Sequence, residues 1–366
     1  MRILIAPDKF KGSLTSKQVA EIIATGLREV LPEAVIETMV VADGGEGTAS
    51  AISQALGGQK VTCAAHDALG REIEAEYFWL ADRRTGVMEM STAAGLWRIA
   101  PDQRDLLRAD TFGVGEMIQD AVRRGGQEIL IGLGGSATND GGFGMARALG
   151  FQFLANEREI EAPAELVNLH RIKAPMRRVT ARITAAVDVR NPLLGSRGAT
   201  RTFGPQKGGT PEQLELLETG LNRLADVVMR DLGFDFRDAP GAGAAGGLGF
   251  GLISFCGAKI RSGFDVVAEF IGLRDAIAKT EVVITGEGRL DEQSLEGKAP
   301  AGVAWLAREA GKRVFAIVGS GGESPAVRAL FDAVLVLARG EVTSEQSVAR
   351  APELLQERAR ELAWMM

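Results

Sequence analysis

Cysteine and histidine are scarce in this chain of 366 residues, which contains two of each. The cysteines, Cys63 and Cys256, form no CxxC pair, and this pattern predicts a reduced, cytoplasmic protein. They cannot complete a zinc site with the isolated histidines His66 and His170. The same scarcity, together with the absence of a GxSxG motif, argues against a serine–histidine hydrolase.

An excess of positive charge is also missing. The chain has 42 Lys and Arg against 48 Asp and Glu, a net charge of −6, and the basic residues are dispersed, so we expect no nucleic-acid partner. The N-terminal apolar run is too short for a signal peptide. Residues 239–258 carry no charge and have the length of a membrane helix, but seven of them are glycine. We expect a buried, glycine-rich helix start there and no membrane association.

Two known nucleotide-binding motifs are either absent from the sequence or lack their required structural context. No GxxxxGK[ST] sequence occurs, so the chain is not a P-loop protein. The segment GAGAAG (241–246) matches GxGxxG, but DFRDAP precedes it instead of an apolar strand, which favours close helix packing over dinucleotide binding. A dehydrogenase that uses this segment stays open as an alternative. Glycine itself is abundant, with 46 residues clustered in short loops beside apolar runs, which indicates ligand contact through the main chain.

Strands and helices alternate at both ends of the chain. This order predicts an α/β fold with a Rossmann-like parallel sheet built from both ends, residues 1–65 and 280–366. The apolar segments 60–65, 73–80 and 86–90 are closely spaced, which favours antiparallel pairing. We therefore expect an inserted α/β domain with a mixed sheet at 66–279 and an active site in the cleft between the domains. Two consecutive domains are the alternative arrangement.

Three loops follow strands of the end domain, at 7–13, 42–48 and 285–294. Ligands of open parallel sheets bind at the carboxyl ends of strands, so the polar residues of these loops should converge on one crevice. The candidates for substrate or phosphate contact are Asp8, Lys9, Lys11, Asp43, Gly44, Gly45, Glu46, Gly286, Glu287 and Arg289, with Asp291 as a candidate metal ligand.

The middle of the chain contains the loop GLGGSATNDGG at 132–142. Glycine amides and hydroxyl groups hold phosphate oxygens, and carboxylates hold magnesium, so this composition predicts a polyphosphate and Mg²⁺ site. Its candidate phosphate ligands are Gly134, Gly135, Ser136, Thr138, Asn139 and, in a later glycine-flanked turn, Lys207. Asp140 is the candidate metal ligand. Asp188, directly after the apolar segment TAAV, is the candidate that accepts or orients a hydroxyl proton.

Ten sequence blocks resemble those of the bacterial glycerate kinases of the first type, in the same order along essentially the whole chain. They are APDKFKGSLTS, VADGGEGT, LGR, MEMSTAAGL, TFGVGE, GLGGSATNDGG, DVRNPLLG, FGPQKG, GAAGGLG and TGEGRLDEQS. The resemblance implies phosphorylation of D-glycerate by ATP with Mg²⁺, and it favours the 2-hydroxyl over the 3-hydroxyl. It also implies a discontinuous Rossmann-like domain and a second α/β domain.

With glycerate as substrate, Lys9 and Arg289 are expected to hold its carboxylate or the transferred phosphate, because a carboxylate ligand needs a fixed cation. A kinase of another small hydroxy acid on the same architecture is one alternative, and a non-catalytic small-molecule sensor is another. A sensor would be expected to lose the carboxylates needed for a metal, whereas Asp43, Asp140, Asp188 and Asp291 are all present. The sequence leaves the oligomeric state open.

Overall fold

The computed structural model describes residues 1–45, 47–292, 294, 298–339 and 344–366. Its strands are β1 Arg2–Ile5, β2 Val35–Thr38, β3 Gln59–His66, β4 Glu72–Leu80, β5 Thr85–Glu89, β6 Glu128–Gly132, β7 Gln152–Ala155, β8 Arg158–Glu159, β9 Arg171–Lys173, β10 Arg182–Val187, β11 Lys259–Ser262, β12 Val282–Leu290, β13 Arg313–Gly321 and β14 Ala333–Val336. Its α-helices are α1 Ser16–Val30, α2 Thr48–Leu56, α3 Ser91–Ala94, α4 Phe112–Arg123, α5 Phe143–Ala148, α6 Ala199–Phe203, α7 Pro211–Leu232, α8 Ala244–Cys256, α9 Gly263–Ile271, α10 Leu273–Ala278, α11 Ala299–Glu309, α12 Pro325–Arg328, α13 Ser344–Ala349 and α14 Ala351–Ala363.

The chain divides into two compact units, one of residues 1–43 and 264–366 and the other of residues 44–263. The sequence had suggested boundaries near 65/66 and 279/280. The first boundary differs because β3 pairs along its whole length with β4, in the sheet of the second unit. The second boundary differs because α9 packs with the first unit. The ring of Phe264 lies so close to Gly302 of α11 that a Cβ added to Gly302 would be only 2.3 Å from it.

The first unit contains a five-stranded sheet in the order β14-β13-β12-β1-β2, with every pair parallel. The α/β fold class with a parallel sheet drawn from both chain ends is therefore confirmed. The strand order reverses direction between β1 and β12, which makes that position the topological switch point of a doubly wound sheet. Helix α1 begins at a capping box, in which Thr15 Oγ1 accepts the N–H of Gln18 at 3.3 Å.

One strand of this sheet is longer than expected. A loop was predicted to begin at residue 285, but the strand continues to Leu290. The extra residues pair with β13, as in Glu287 with Val318 and Arg289 with Ser320. Part of the expected loop 285–294 is therefore a strand, held by a neighbour that is distant in sequence.

The second unit contains a six-stranded mixed sheet in the order β11-β10-β6-β5-β4-β3 and a small three-stranded sheet, β8-β7-β9. Strands β11, β10, β6 and β5 are parallel, whereas β4 is antiparallel to both β3 and β5. The mixed sheet predicted for the middle of the chain is confirmed. Within the described residues, none of the helices is both long and apolar enough to span a membrane. A cytoplasmic location stays a prediction.

Candidate functional site

The switch point of the first unit brings several predicted residues together. The N–H of Asp8, which follows β1, donates to the carbonyl of Gly286 in β12 at 2.8 Å. A Cβ on Gly288 would lie 3.2 Å from the backbone nitrogen of Lys11, so the loop after β1 packs directly on the end of β12. The backbone N–H of Lys9 donates to Asp8 Oδ1 at 2.6 Å. The structure thus places the loop 7–11 where an open parallel sheet binds its ligands.

Carboxyl groups crowd this switch point and raise one another's pKa. Burial, and then the negative charge of Asp43, raises the pKa of Asp8 to about 6. Burial raises the pKa of Glu287 to about 7, with smaller contributions from the charges of Asp8 and Asp291. The Glu287 Oε1 atom is buried and has no hydrogen-bond partner within the described residues. Perturbed carboxyls that share one location are typical of functional sites.

A cation that the sequence analysis missed lies beside these carboxyls. Lys298 lowers the pKa of both Asp8 and Glu287 through its charge. It lines a cavity of about 600 Å³ with Arg289, Asp291 and Glu292. Lys298 is the N-cap of α11, where the helix dipole disfavours a positive charge. The sequence feature that could have identified Lys298 is its position directly before the helix start at Ala299–Pro300. A lysine is unfavourable there, and residues that break such a local rule are often functional.

Arg289 and Asp291 also meet in this cavity. The exposed Arg289 Nε lies 3.3 Å from Asp291 Oδ2, so the predicted substrate cation and the predicted metal ligand form an ion pair. Of the remaining residues predicted for the first unit, Asp43 is half-buried and Lys11 is exposed. Both remain candidates.

In the second unit, the loop 132–142 rests on a buried lysine. Lys207 is 2% exposed, and its Nζ donates to Ser136 Oγ at 2.7 Å and to the Thr138 carbonyl at 2.6 Å. Burial lowers the pKa of Lys207 to about 7, and the negative charge of Asp140 partly opposes that shift. The lysine predicted to bind phosphate therefore holds the loop from inside the protein.

The exposed part of this loop presents backbone donors. Gly134 is half-buried and Gly135 is exposed, with φ of +69° at Gly135. The amides of Gly134, Gly135 and Ser136 donate to no acceptor within the described part of the chain. Consecutive amides around a left-handed residue form a concave anion-binding nest. The phosphate-binding role predicted for these three residues stays a prediction, and this geometry is compatible with it.

Asp140 lies on the buried side of the loop, which is not where a metal ligand was expected. It is fully buried, and its Oδ2 accepts the N–H and the Oγ1–H of Thr111 at 2.9 and 2.7 Å and the N–H of Gly144 at 2.9 Å. Its Oδ1 accepts the N–H of Gly142 at 3.1 Å. Both oxygens are thus occupied by donors of the chain, so Asp140 shapes the loop and does not have the geometry of a metal ligand. Within the residues that the structure describes, no group of three His, Cys, Asp or Glu side chains could hold a metal ion.

Thr138 and Asn139 are fully buried. Asn139 Nδ2 donates to Thr200 Oγ1 at 3.0 Å, which ties the loop to α6. The Thr138 Oγ1 and Asn139 Oδ1 atoms have no hydrogen-bond partner among the described residues. Buried polar atoms without a partner are rare and call for an explanation, and two of them lie on adjacent residues of this loop.

The glycine-rich segment 241–251 packs against the same loop. A Cβ on Gly246 would lie 1.9 Å from the Thr138 carbonyl oxygen, and the N–H of Gly141 donates to the Gly246 carbonyl at 3.0 Å. The backbone turns through positive φ at Ala245, Gly246 and Gly247 before α8 becomes regular. The close helix packing expected for GAGAAG is present, and no strand precedes it, so a dinucleotide site there has no structural support.

Asp188 and the loop 44–48 lie at the carboxyl edge of the second sheet. Asp188 is exposed and directly follows β10, an interior strand of the sheet. A Cβ on Gly44 would lie 3.3 Å from the nitrogen of Val187, so this loop covers the end of β10. Gly45 is half-buried beside it, and Glu46 lies outside the described residues. Glu89, at the end of β5, also lies here and was not among the residues predicted from the sequence.

Glu89 fixes the start of α2. Its Oε1 accepts the N–H groups of Gly47 and Ala49 at 2.8 and 3.1 Å, at the start of α2. A carboxylate at a helix N-terminus is electrostatically favourable. The sequence feature that could have identified Glu89 is the block MEMSTAAGL, which resembles the glycerate kinase blocks and in which Glu89 is the single charged residue.

Comparison with known proteins identifies the family. A family model described as the glycerate kinase family matches residues 3–366. The chain belongs to the glycerate kinase family. It is 39% identical to a glycerate kinase of Bacillus subtilis (strain 168), over 99% of this chain and 97% of that protein. It is 42% identical to a glycerate 2-kinase of Escherichia coli (strain K12), over 87% of this chain and 85% of that protein.

A solved structure gives the same result. A crystal structure from Salmonella typhimurium LT2, of a protein provisionally named glycerate kinase 2, superposes with a TM-score of 0.88 and 41% identity, covering 100% of this chain and 98% of that one. Members of the glycerate kinase family are phosphotransferases with an alcohol group as acceptor, and this chain is such an enzyme. Phosphoryl transfer depends mainly on positioning and charge neutralisation, which loops of amides and cations supply.

Proposed function

We propose that this enzyme is a glycerate kinase of the first type that transfers the γ-phosphoryl group of ATP to the 2-hydroxyl of D-glycerate. The observation that carries the proposal is the loop 132–142, which presents the amides of Gly134, Gly135 and Ser136 above the buried Lys207. The E. coli relative named as a glycerate 2-kinase supports the 2-hydroxyl, and transfer to the 3-hydroxyl is the alternative outcome.

The loop 132–142 would hold phosphate oxygens of the nucleotide. Three neighbouring amides can each donate one hydrogen bond, and the buried Lys207 Nζ donates to the side chain of one of these residues, Ser136, and to the Thr138 carbonyl. The ammonium reaches Ser136 and not the solvent, so it contributes its charge and holds the loop in shape. Gly44 and Gly45, at the same edge of the second sheet, are candidates for further phosphate contact.

Magnesium would be bound by oxygen ligands of the first unit. Mg²⁺ in kinases uses one or two carboxylates together with substrate phosphates and waters, so it does not need a three-carboxylate cluster. Asp291 fits this role, because its half-buried carboxylate lines the cavity of about 600 Å³. When bound, the ion would neutralise charge on the phosphates. Asp8, Asp43 and Glu287 are the other oxygen ligands nearby.

Asp188 would accept or orient the proton of the glycerate hydroxyl. A hydroxyl is a weak nucleophile at neutral pH, and kinases commonly place an aspartate against it. Asp188 is exposed at the end of β10, which is hydrogen-bonded to β6 on one side and β11 on the other. Its backbone is therefore rigidly held while its carboxylate is accessible.

Lys9 and Arg289 would bind the carboxylate of glycerate or the transferred phosphate. The Arg289 guanidinium is exposed and paired with Asp291 through Nε, which leaves its terminal nitrogens available for a bidentate contact. Lys9 follows Asp8 at the switch point and is half-buried. Both cations belong to loops or strand ends of the first unit.

The test is an ADP-release assay with ATP, Mg²⁺ and either D- or L-glycerate, followed by phosphorus NMR of the product. We expect turnover with D-glycerate and a product phosphorylated at the 2-position. Turnover with a different hydroxy acid and none with glycerate would move the assignment to another small-molecule kinase. Binding of glycerate without any ADP release would support the sensor alternative.

A further inference from the structure

A second cavity, of about 500 Å³, lies within the second unit and shares no lining residue with the loops described above. We call it the Arg108 cavity. Its polar and aromatic walls are formed by His66, Arg108, Asp110, Phe112, Arg147 and Glu161. Two of the ten matching sequence blocks, LGR and TFGVGE, contribute to it, and the proposed kinase mechanism uses neither.

Arg147 is held in place on one wall of the cavity. Its guanidinium lies over the rings of Phe143 and Phe112, 5.2 and 5.8 Å from their centroids. Its Nη1 donates to the Glu161 carbonyl at 3.1 Å and lies 3.7 Å from Asp110 Oδ2. A guanidinium fixed by stacking and by one hydrogen bond keeps further N–H groups for a ligand, and little side-chain entropy is lost on binding.

Arg108 provides a second cation that is not paired. The residue is exposed, and within the described part of the chain its guanidinium makes no hydrogen bond and no ion pair. An arginine without a carboxylate partner at the rim of a cavity can close on an incoming anion. Two arginine forks on one cavity are suited to a carboxylate or a phosphate group.

The acidic groups of the cavity are largely compensated. Glu116, behind His66, accepts the His66 N–H at 2.7 Å and contacts Nδ1 at 3.0 Å. Burial, and then the charge of Asp140, raises the pKa of Asp110 to about 7. Near neutral pH much of Asp110 is therefore protonated, and the protonated form can donate a hydrogen bond to an anion. Glu161 is exposed, so its charge is screened by water.

We propose that the Arg108 cavity binds a small organic anion, a carboxylate or a phosphate ester, between Arg108 and Arg147. The ring of Phe112 and the side chain of Leu69 would cover the carbon skeleton of the ligand. This binding does not depend on the proposed kinase reaction, because no residue of the cavity belongs to that machinery. The anion has two possible sources, glycerate itself or a separate metabolite of the same chemistry.

The test is isothermal titration calorimetry of the full chain with D-glycerate, 2-phosphoglycerate and inorganic phosphate in turn. The variant is Arg108→Ala, which removes one guanidinium that the fold does not use. The matched control is Arg178→Ala, because Arg178 is also exposed in the second unit and the change in net charge is the same. Loss of one charged contact should weaken binding of at least one probe about tenfold or more in Arg108→Ala and leave the control unchanged.

The probes then distinguish the two sources. If the anion is glycerate, Arg108→Ala loses glycerate affinity in the titration while the KM for glycerate, which reports the separate acceptor site, is unchanged. If the anion is separate, affinity for 2-phosphoglycerate or phosphate falls while the KM for glycerate is unchanged. Equal binding of all three probes by wild type, Arg108→Ala and Arg178→Ala would overturn the proposal, as would the absence of any binding at millimolar concentrations. A melting temperature equal to wild type would verify that the variant is folded.

Discussion

Replacement of Lys207 by methionine should remove a specific pH dependence from the stability of the protein. Burial lowers the pKa of Lys207 from its ordinary value of 10.5 to about 7. In the unfolded chain the amine regains its ordinary pKa, so between pH 7 and pH 10.5 the unfolded state binds more protons than the folded state. Stability therefore rises with pH across this window and is lowest below pH 7, where the buried ammonium is charged. Methionine fills a similar volume and does not titrate.

The size of the effect follows from the pKa difference, 10.5 minus 7. Each pKa unit corresponds to about 1.4 kcal/mol, so the buried charge costs roughly 5 kcal/mol below pH 7. Between pH 6 and pH 9 the linkage relation gives a change of roughly 2–3 kcal/mol in the free energy of unfolding. For a unit of this size, that change corresponds to roughly 5–10 °C in melting temperature. The lost hydrogen bonds to Ser136 and Thr138 add an offset of about 1–3 kcal/mol each that does not depend on pH.

Differential scanning calorimetry at pH 6 and pH 9 measures the effect as a difference between two proteins. The melting temperature of wild type minus that of Lys207→Met should increase from pH 6 to pH 9. The control is Lys173→Met, because Lys173 is an exposed lysine of the same unit and should leave the pH profile unchanged. Parallel pH profiles for wild type and Lys207→Met would refute the reasoning and show that Lys207 is not desolvated in the folded protein.

Three further predictions concern single positions. Gly246→Ala should destabilise the protein by roughly 4 kcal/mol or more in urea denaturation, because the new Cβ would lie 1.9 Å from the Thr138 carbonyl and the backbone has φ of +68°. The control is Gly257→Ala, which has a similar φ of +65° but open space around the Cβ, and it should cost about 1–2 kcal/mol. Asp188→Asn should lower kcat at least about a hundredfold without a change in melting temperature, and a variant that melts earlier yet turns over normally would exclude the proposed role. Arg289→Lys keeps the charge and loses the fork, so the KM for glycerate should rise while the KM for ATP stays the same; an unchanged glycerate KM would exclude Arg289 from substrate binding.

The alternation of strands and helices was sufficient to predict the fold class, because it is a local property of the sequence. The ends of elements were harder to predict where distant pairing decides them. The residues GEGR of β12 carry no apolar pattern, and they continue the strand only because β13 lies alongside. In the same way, β3 follows its antiparallel partner β4 into the second unit, which places the boundary at 43/44.

The sequence was sufficient to predict which residues lie near the candidate site, but not how their side chains are oriented. The sequence places Asp140 within the candidate phosphate-binding loop 132–142 and assigns Lys207 to the same site, and Lys207 does hydrogen-bond to that loop. It does not indicate that Thr111, distant in sequence, donates twice to Asp140 and turns the carboxylate inward. Lys298 was missed because its role depends on the charges of Asp8 and Glu287, which come from other loops. The location of the complete active site stays a prediction.

The abundant glycines serve two different purposes, and the structure separates them. Residues 241–251 are buried, and Gly246 is required because the Thr138 carbonyl occupies the place of its Cβ. A dinucleotide could reach amides of this segment only by displacing the loop 132–142. At Gly135, in contrast, the nearest heavy atom to a Cβ would be 3.5 Å away, the residue is exposed, and its amide has no acceptor within the described residues. Packing therefore does not explain Gly135, whereas its left-handed backbone, with φ of +69°, does, and the same conformation forms the nest of amides that we propose as the anion-binding site.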